Sequence, residues 1–343
     1  MNVSDSLAYR RLILELVHEL PDAHSFLREE SYDKRYQFSV PVKLVYLEGR
    51  YIVGSVVPGR SELKRGDEIL SINNAGVKNR ERDLKKVVTG TNPASLHRNI
   101  AQELLRTGDT IVSLEIRRGN MKLQQVVRLY RTQGQTPGGI KTLWEEVKQG
   151  IWYVRFCEIT SVDSLPSLFR SIQNAKAVIW EMRGYPNFSV TVAVQKYLFR
   201  PGTWLSDEWN ALAAFPGKLK RVRSITREGI DSQLFYKGPM IILVDEHTQS
   251  LAESVAASLR TRPNSFVMGS QTAGTTGNIT WLDLPGNIRV SYTGVAVEGA
   301  NSSFRQGDGV RIDRRITRTR KKFLQSNDSV LDEVIRYAAM AKP

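Results

Sequence analysis

Residues 240–259 read MIILVDEHTQSLAESVAASL. Met240–Val244 is a continuous apolar run, the pattern of a strand buried on both faces of a sheet. A polar turn follows, Asp245-Glu246-His247-Thr248-Gln249-Ser250, and from Leu251 to Leu259 the apolar residues recur at helical spacing. Strand, turn and helix in that order form half of a βαβ unit. The same alternation extends on either side. Ile151–Phe156, Ala177–Met182 and Ser265–Met268 read as strands, and Ser164–Ile172 and Val190–Leu198 as helices. The pattern predicts an α/β core with a mostly parallel sheet over residues 150–343. Sites in such sheets form at the carboxyl ends of the strands. That rule points to two turns, Arg183–Asn187 and Asp245–Ser250.

The first half of the chain has another rhythm. Leu7, Leu12, Leu14, Leu16, Val17 and Leu20 predict an amphipathic helix over 6–20, ended by Pro21-Asp22. His24 then lies on the following loop. From 43 to 130 short β-branched and aromatic runs predict a β-rich module. It has a hairpin break at Glu48-Gly49, a strand at Glu68–Ile72 and a closing hairpin at Gly119-Asn120. Residues 80–107 read as a polar helical insertion. The stretch 131–149, with Gln133–Gly139 at its centre, reads as a linker. The expected organisation is therefore an N-terminal helical segment (1–42), a β-rich module (43–130), a linker (131–149) and an α/β core (150–343).

Composition excludes several classes. The 343 residues are 41% apolar and 24% charged, which is incompatible with disorder throughout. Cys157 is the one cysteine, so no intramolecular disulfide can form, and it reads as a small buried hydrophobe. No apolar run is long enough to cross a membrane as a helix, and the first residues lack the profile of a secretory signal. No phosphate loop, H-E-x-x-H, C-x-x-C or calcium loop occurs, so no nucleotide or metal cofactor is expected. Basic residues exceed acidic ones, 49 − 35 = +14. The surplus is concentrated in Arg311–Lys322, which reads either as an anion-binding patch or as charge guarding a sheet edge. No nucleic-acid motif accompanies it, and no nucleic-acid partner is expected.

Ser250 has two readings. A serine between a buried strand and a helix presents its hydroxyl from a turn, beside the free N–H groups and positive dipole end of the helix, where an oxyanion would be stabilised. Alternatively it is an N-cap, with Glu253 completing a capping box.

The order of motifs after residue 150 resembles the C-terminal processing peptidases, or tail-specific proteases. The counterparts are Ala177–Asn187, Val244–Glu253, Gly269-Ser270-Gln271-Thr272-Ala273-Gly274 and Gly309-Val310-Arg311-Ile312-Asp313, where the family has G-[IV]-x-P-D. Leu63–Asn73 resembles the L-x-x-G-D-x-I-x-x-I-N segment of PDZ domains, which bind an extended peptide at a sheet edge. The resemblance implies a serine endopeptidase that hydrolyses peptide bonds through an acyl-enzyme and needs no cofactor. Its substrate would be a peptide or protein, and its setting the bacterial envelope or the cell exterior. Ser250 matches the nucleophile of T-x-S-x-x-E. The Leu251 N–H matches one oxyanion donor, and the Gly184–Asn187 loop, at Asn187, the other.

The family's lysine base is missing, since Thr272-Ala273-Gly274 continues as Thr275-Thr276-Gly277. The tricorn-type position for a histidine holds Arg155. The remaining branch, which includes the chlamydial protease-like factor, carries a histidine in an N-terminal D-x-H, here Asp22-Ala23-His24. His24 is thus the general base that the resemblance implies. Gln306 stands where family members hold the imidazole partner, with Asp308 as runner-up. His247 is a weaker candidate, and His18 and His97 read as structural or solvated. Glu181, where the family has Asp, is expected to pair with Arg183. The departures also leave open a catalytically inactive, peptide-binding relative.

Overall fold

The computed structural model describes residues 5–30, 37–131, 142–227 and 229–340. It divides the chain into two compact units. The first comprises 1–140, 281–292 and 318–327; the second comprises 141–280, 293–317 and 328–343.

The second unit is built on a six-stranded sheet in the order Trp144–Lys148, Ile151–Val154, Ala177–Glu181, Met240–Val244, Ser265–Gly269 and Arg314–Arg315. The first pairing is antiparallel and the other four are parallel. Every residue of Met240–Val244 is buried, as its apolar run demands. Alternate residues take opposite faces. Val178, Trp180, Ile242 and Val244 pack with the helices Leu165–Ile172 and Leu251–Arg260. Ile179, Ile241 and Leu243 pack on the other side with Val330 and Val334 of the helix Ser329–Met340. The result is a helix–sheet–helix sandwich. Each such fully buried side chain contributes about 1.5–3 kcal/mol.

A second sheet in this unit is antiparallel: Leu219–Ile225, Trp204–Ala211, Val295–Gly299, Phe304–Arg305 and Gly309–Val310. The sequence pattern did not foreshadow it. Trp144–Lys148 is a further strand, inside the stretch read as linker. Gln133–Gly139 lies outside the described residues.

Arg183 does pair with Glu181, at 2.6 Å, and also with Asp328 at 2.5 Å. The Tyr153 hydroxyl adds a hydrogen bond to Glu181 at 2.6 Å. In the basic segment, Arg314–Arg315 forms the exposed edge strand of the parallel sheet. Cys157 is partly buried against the core, and its Sγ donates to the Glu181 carbonyl at 3.5 Å.

The first unit begins with the helix Ser6–His18, whose N-terminus is capped by the Asp5 carboxylate, 2.8 Å from the Ala8 N–H. Its main sheet is antiparallel, in the order Val42–Leu47, Arg50–Val56, Glu68–Ile72, Ile111–Arg118 and Met121–Arg128, with the short Ala75–Gly76 beside Glu68–Ile72. Glu48 and Gly49, both at positive φ, make the first hairpin turn. The helical insertion resolves into Val77–Leu84 and Pro93–Glu103, the second opened by an Asn92–Ser95 capping box. Tyr51, Ile69, Ile100, Leu104 and Leu114 form the core of this module. Phe26–Arg28 pairs antiparallel with Ile288–Thr293. Among the described residues no helix is long and apolar enough to cross a membrane.

Candidate active site

Ser250 stands at the end of the turn that leaves Met240–Val244, directly before the helix Leu251–Arg260. Its backbone is at φ 58°, ψ −121°, a conformation that costs a residue bearing a Cβ about 1–3 kcal/mol and persists only where its surroundings enforce it. Those surroundings are on the same unit. The Ser250 N–H donates to the Thr275 carbonyl at 2.8 Å, and the Thr276 hydroxyl donates to the Ser250 carbonyl at 3.0 Å. The hydroxyl is left to do something else, for it makes no capping bond. Strand, turn, strained serine and helix follow one another directly. Leu251 is the first helical residue, so its N–H has no acceptor within the helix.

Half of the capping box is present, for the Ser250 backbone bonds the Glu253 side chain, but Glu253 also does more. This side chain is fully buried. One of its oxygens accepts from the Thr272 hydroxyl at 2.5 Å and from the Gly274 N–H at 2.7 Å, and the other from the Thr275 N–H at 2.9 Å. Burial raises the Glu253 carboxyl to about 7, against the pull of these donors. Glu253 therefore anchors the 272–275 turn, which in turn holds Ser250. Gly309 closes the cluster from below. It has φ +86°, and a Cβ there would lie 2.2 Å from the Thr272 hydroxyl oxygen. Sequence reasoning missed this role for Glu253. The signal was present: an acidic residue among Ala252, Val255 and Ala256, all buried, must find donors in the interior.

Gln306 is exposed, and its Oε1 accepts from the Thr276 N–H at 3.3 Å. Through Thr276 it is two hydrogen bonds from Ser250. Asn187 caps the helix Phe188–Ala193, its Oδ1 accepting from the Val190 N–H at 3.1 Å. Its neighbours Tyr185 and Phe188 line the same pocket as Ser250 and Leu251, a cavity of about 370 Å3 within this unit. Asp308 is exposed beside Arg305, and His247 is exposed, its N–H donating to Asp245. Arg155 is paired with Glu145 at 2.7 Å.

His24 belongs to the first unit. The loop histidine is buried, 3% exposed, rather than solvated. Asp22 makes the turn that sets it: its carboxylate accepts from the His24 N–H at 2.9 Å, and its carbonyl from the Ser25 N–H at 2.9 Å. The His24 carbonyl accepts from the Ser291 hydroxyl at 2.6 Å. Burial lowers the imidazole pKa; Asp22 opposes that shift and Arg98 adds to it. His18 bonds the Val88 carbonyl, and His97 stacks on Tyr46 with ring centroids 3.9 Å apart; both are tied into their own unit.

The family model for Peptidase family S41 matches residues 100–316. The chain belongs to peptidase family S41, a family of serine peptidases. Among solved structures, this S41 chain is similar to mature CPAF complexed with lactacystin, with a TM-score of 0.73 and 12% identity over 96% of this chain and 88% of that one. It is also similar to the photosystem II D1 C-terminal processing protease, with a TM-score of 0.54 and 15% identity over 98% and 87%. At such identities the likeness is one of fold. A search of curated protein sequences returns no match. Family membership accords with a peptide or protein substrate.

Proposed function

We propose that this S41 chain is a serine endopeptidase with Ser250 as its nucleophile. The observation that carries the proposal is the backbone of Ser250, held at φ 58° between a buried strand and a helix, with its hydroxyl uncommitted to capping. A strained conformation retained in a well-packed core is evidence of use. In the proposed reaction the Ser250 oxygen attacks the scissile carbonyl while His24 accepts its proton. The tetrahedral oxyanion is held by the Leu251 N–H and by the backbone at Asn187. His24 then returns the proton to the leaving amine, and water releases the acyl group by the same steps. Losing one oxyanion donor typically costs about 3–4 kcal/mol of barrier.

Gln306 is proposed as the polar partner of the site, orienting the imidazole and steadying Thr276. We assign the 43–130 module a PDZ-like role, binding an extended segment of substrate. Its antiparallel sheet and two helices accord with that.

The role of His24 has a pH signature. A base must be neutral to accept a proton, and burial favours the neutral ring. Activity is therefore expected to fall tenfold per pH unit on the acid side, with a midpoint below 6.5. His24→Gln should remove both this limb and nearly all activity. A midpoint above 6.5, or a limb that survives the substitution, would place the base elsewhere.

The direct test of the proposal is covalent labelling with a fluorophosphonate. Labelling of Ser250 in the folded protein supports the peptidase. A folded protein that binds peptides but never takes the label would be the non-catalytic relative.

A further inference from the structure

The cavity beside Ser250 has walls of apolar and neutral polar residues and one carboxylate, Glu208. On one side Leu251, Ser254, Val255 and Ser258 form a single face of the helix that begins after the serine. Opposite lies one face of the antiparallel sheet, where Ser206 and Glu208 share a side of the Trp204–Ala211 strand. Asp207 points to the other side, where Arg221 and Arg223 neutralise it. Glu208 has no such neighbour. Its partners across the sheet are Val222 and Val297, and among the described residues its side chain makes no hydrogen bond or ion pair. In a chain with 49 basic residues against 35 acidic, a carboxylate lining a pocket of apolar and neutral polar residues without a cation is unexpected.

The register places Glu208 relative to the serine. Thr276 bonds the Ser250 carbonyl at 3.0 Å. The next residue, Gly277, passes so close to Val295 that a Cβ would lie 2.1 Å from the Val295 carbonyl oxygen. Val295 pairs with Asn210. The Ser250 end of the cavity is thus level with Asn210, and Glu208 lies two residues, about 7 Å, further along the strand. Glu208 and Ser250 line the same cavity, so a side chain beside the serine points along it toward Glu208.

We propose that this cavity is a substrate side-chain subsite selective for lysine or arginine, with Glu208 as the specificity-determining residue. The methylene stem lies against Leu251, Val255 and Val297, and the cationic head meets the carboxylate. A basic side chain has this division into apolar stem and charged tip. A purely apolar side chain would gain similar burial but would strip water from Glu208 without replacing it, which is unfavourable for an ionised group. The proposal rests on the peptidase reading, and its test separates the two.

Matched peptides differing at one residue (lysine, arginine, norleucine, glutamine or glutamate) would be measured in two ways: for cleavage by the unaltered protein, and for binding to the Ser250→Ala variant by fluorescence polarisation. Lysine and arginine peptides should exceed norleucine roughly tenfold in both kcat/KM and affinity, with the margin shrinking as salt rises. Glu208→Gln should abolish the margin, and Glu208→Lys should shift preference to the glutamate peptide. A cationic preference in binding without any cleavage would keep the subsite and sink the peptidase. Cleavage without that preference, or a preference untouched by Glu208→Gln, would overturn the subsite alone. No peptide bound or cut would overturn both.

Discussion

Ser250→Ala is expected to abolish fluorophosphonate labelling and to lower kcat for peptide hydrolysis by roughly 10^5- to 10^6-fold, the scale seen when a serine nucleophile is removed. The variant should fold normally. The hydroxyl contributes no capping bond, so its removal leaves no backbone group newly unsatisfied. The contacts that hold the residue, to Thr275 and Thr276, run through its N–H and carbonyl and survive the change. Activity would be lost without loss of structure. A variant that retained labelling would show that another hydroxyl reacts, and Ser254, one helical turn on and bonded to the Thr276 hydroxyl at 2.7 Å, would be examined first.

Glu253→Ala should produce the largest loss of stability, about 3–5 kcal/mol. The carboxylate accepts from two buried backbone N–H groups and from the Thr272 hydroxyl. Truncation strands all three donors, at about 1–3 kcal/mol for each left without a partner, with partial relaxation. The same change frees the turn whose Thr275 carbonyl holds the Ser250 N–H, so activity should fall with stability. Calorimetry would show a drop in Tm of about 10 °C for a unit of this size.

The pH dependence provides a second reading. With its pKa raised from 4.5 to about 7 in the folded protein, Glu253 contributes most below pH 4.5, where both folded and unfolded forms are protonated. Between 4.5 and about 7 the unfolded chain ionises first, and stability should decline with rising pH. The decline should be absent from Glu253→Ala. A Tm within a degree or two of the parent would mean that the 272–275 turn is held by something other than this carboxylate.

The reach of the sequence was uneven, for physical reasons. The parallel strands were legible because burial on both faces leaves unbroken apolar runs, and Met240–Val244 falls where its run predicts. The Glu48-Gly49 hairpin was legible because its turn chemistry is local. The second sheet was not. Trp204–Ala211 mixes tryptophans with Asp207 and Glu208, since one side faces arginines and the other a cavity. Its partner Val295–Gly299 is more than eighty residues away, and no local pattern encodes such a pairing. Ser250 and its turn could be found from the strand-to-helix junction together with the motif order. Glu253 was visible as a capping residue, and its bond to the Ser250 backbone agrees; its other donors, Thr272, Gly274 and Thr275, lie outside the helix and no local spacing reveals them. For His24, residue spacing gave the Asp22 turn, while burial became evident only in three dimensions.

The torsion at position 250 also bears on how the protein ages and how it can be engineered. A residue without a Cβ adopts φ 58°, ψ −121° at little cost, so a glycine at this position should melt later than either serine or alanine while being catalytically dead. On the proposed reading, selection for heat resistance alone would favour loss of the nucleophile, and a thermostabilised version would have to be screened for turnover at every round.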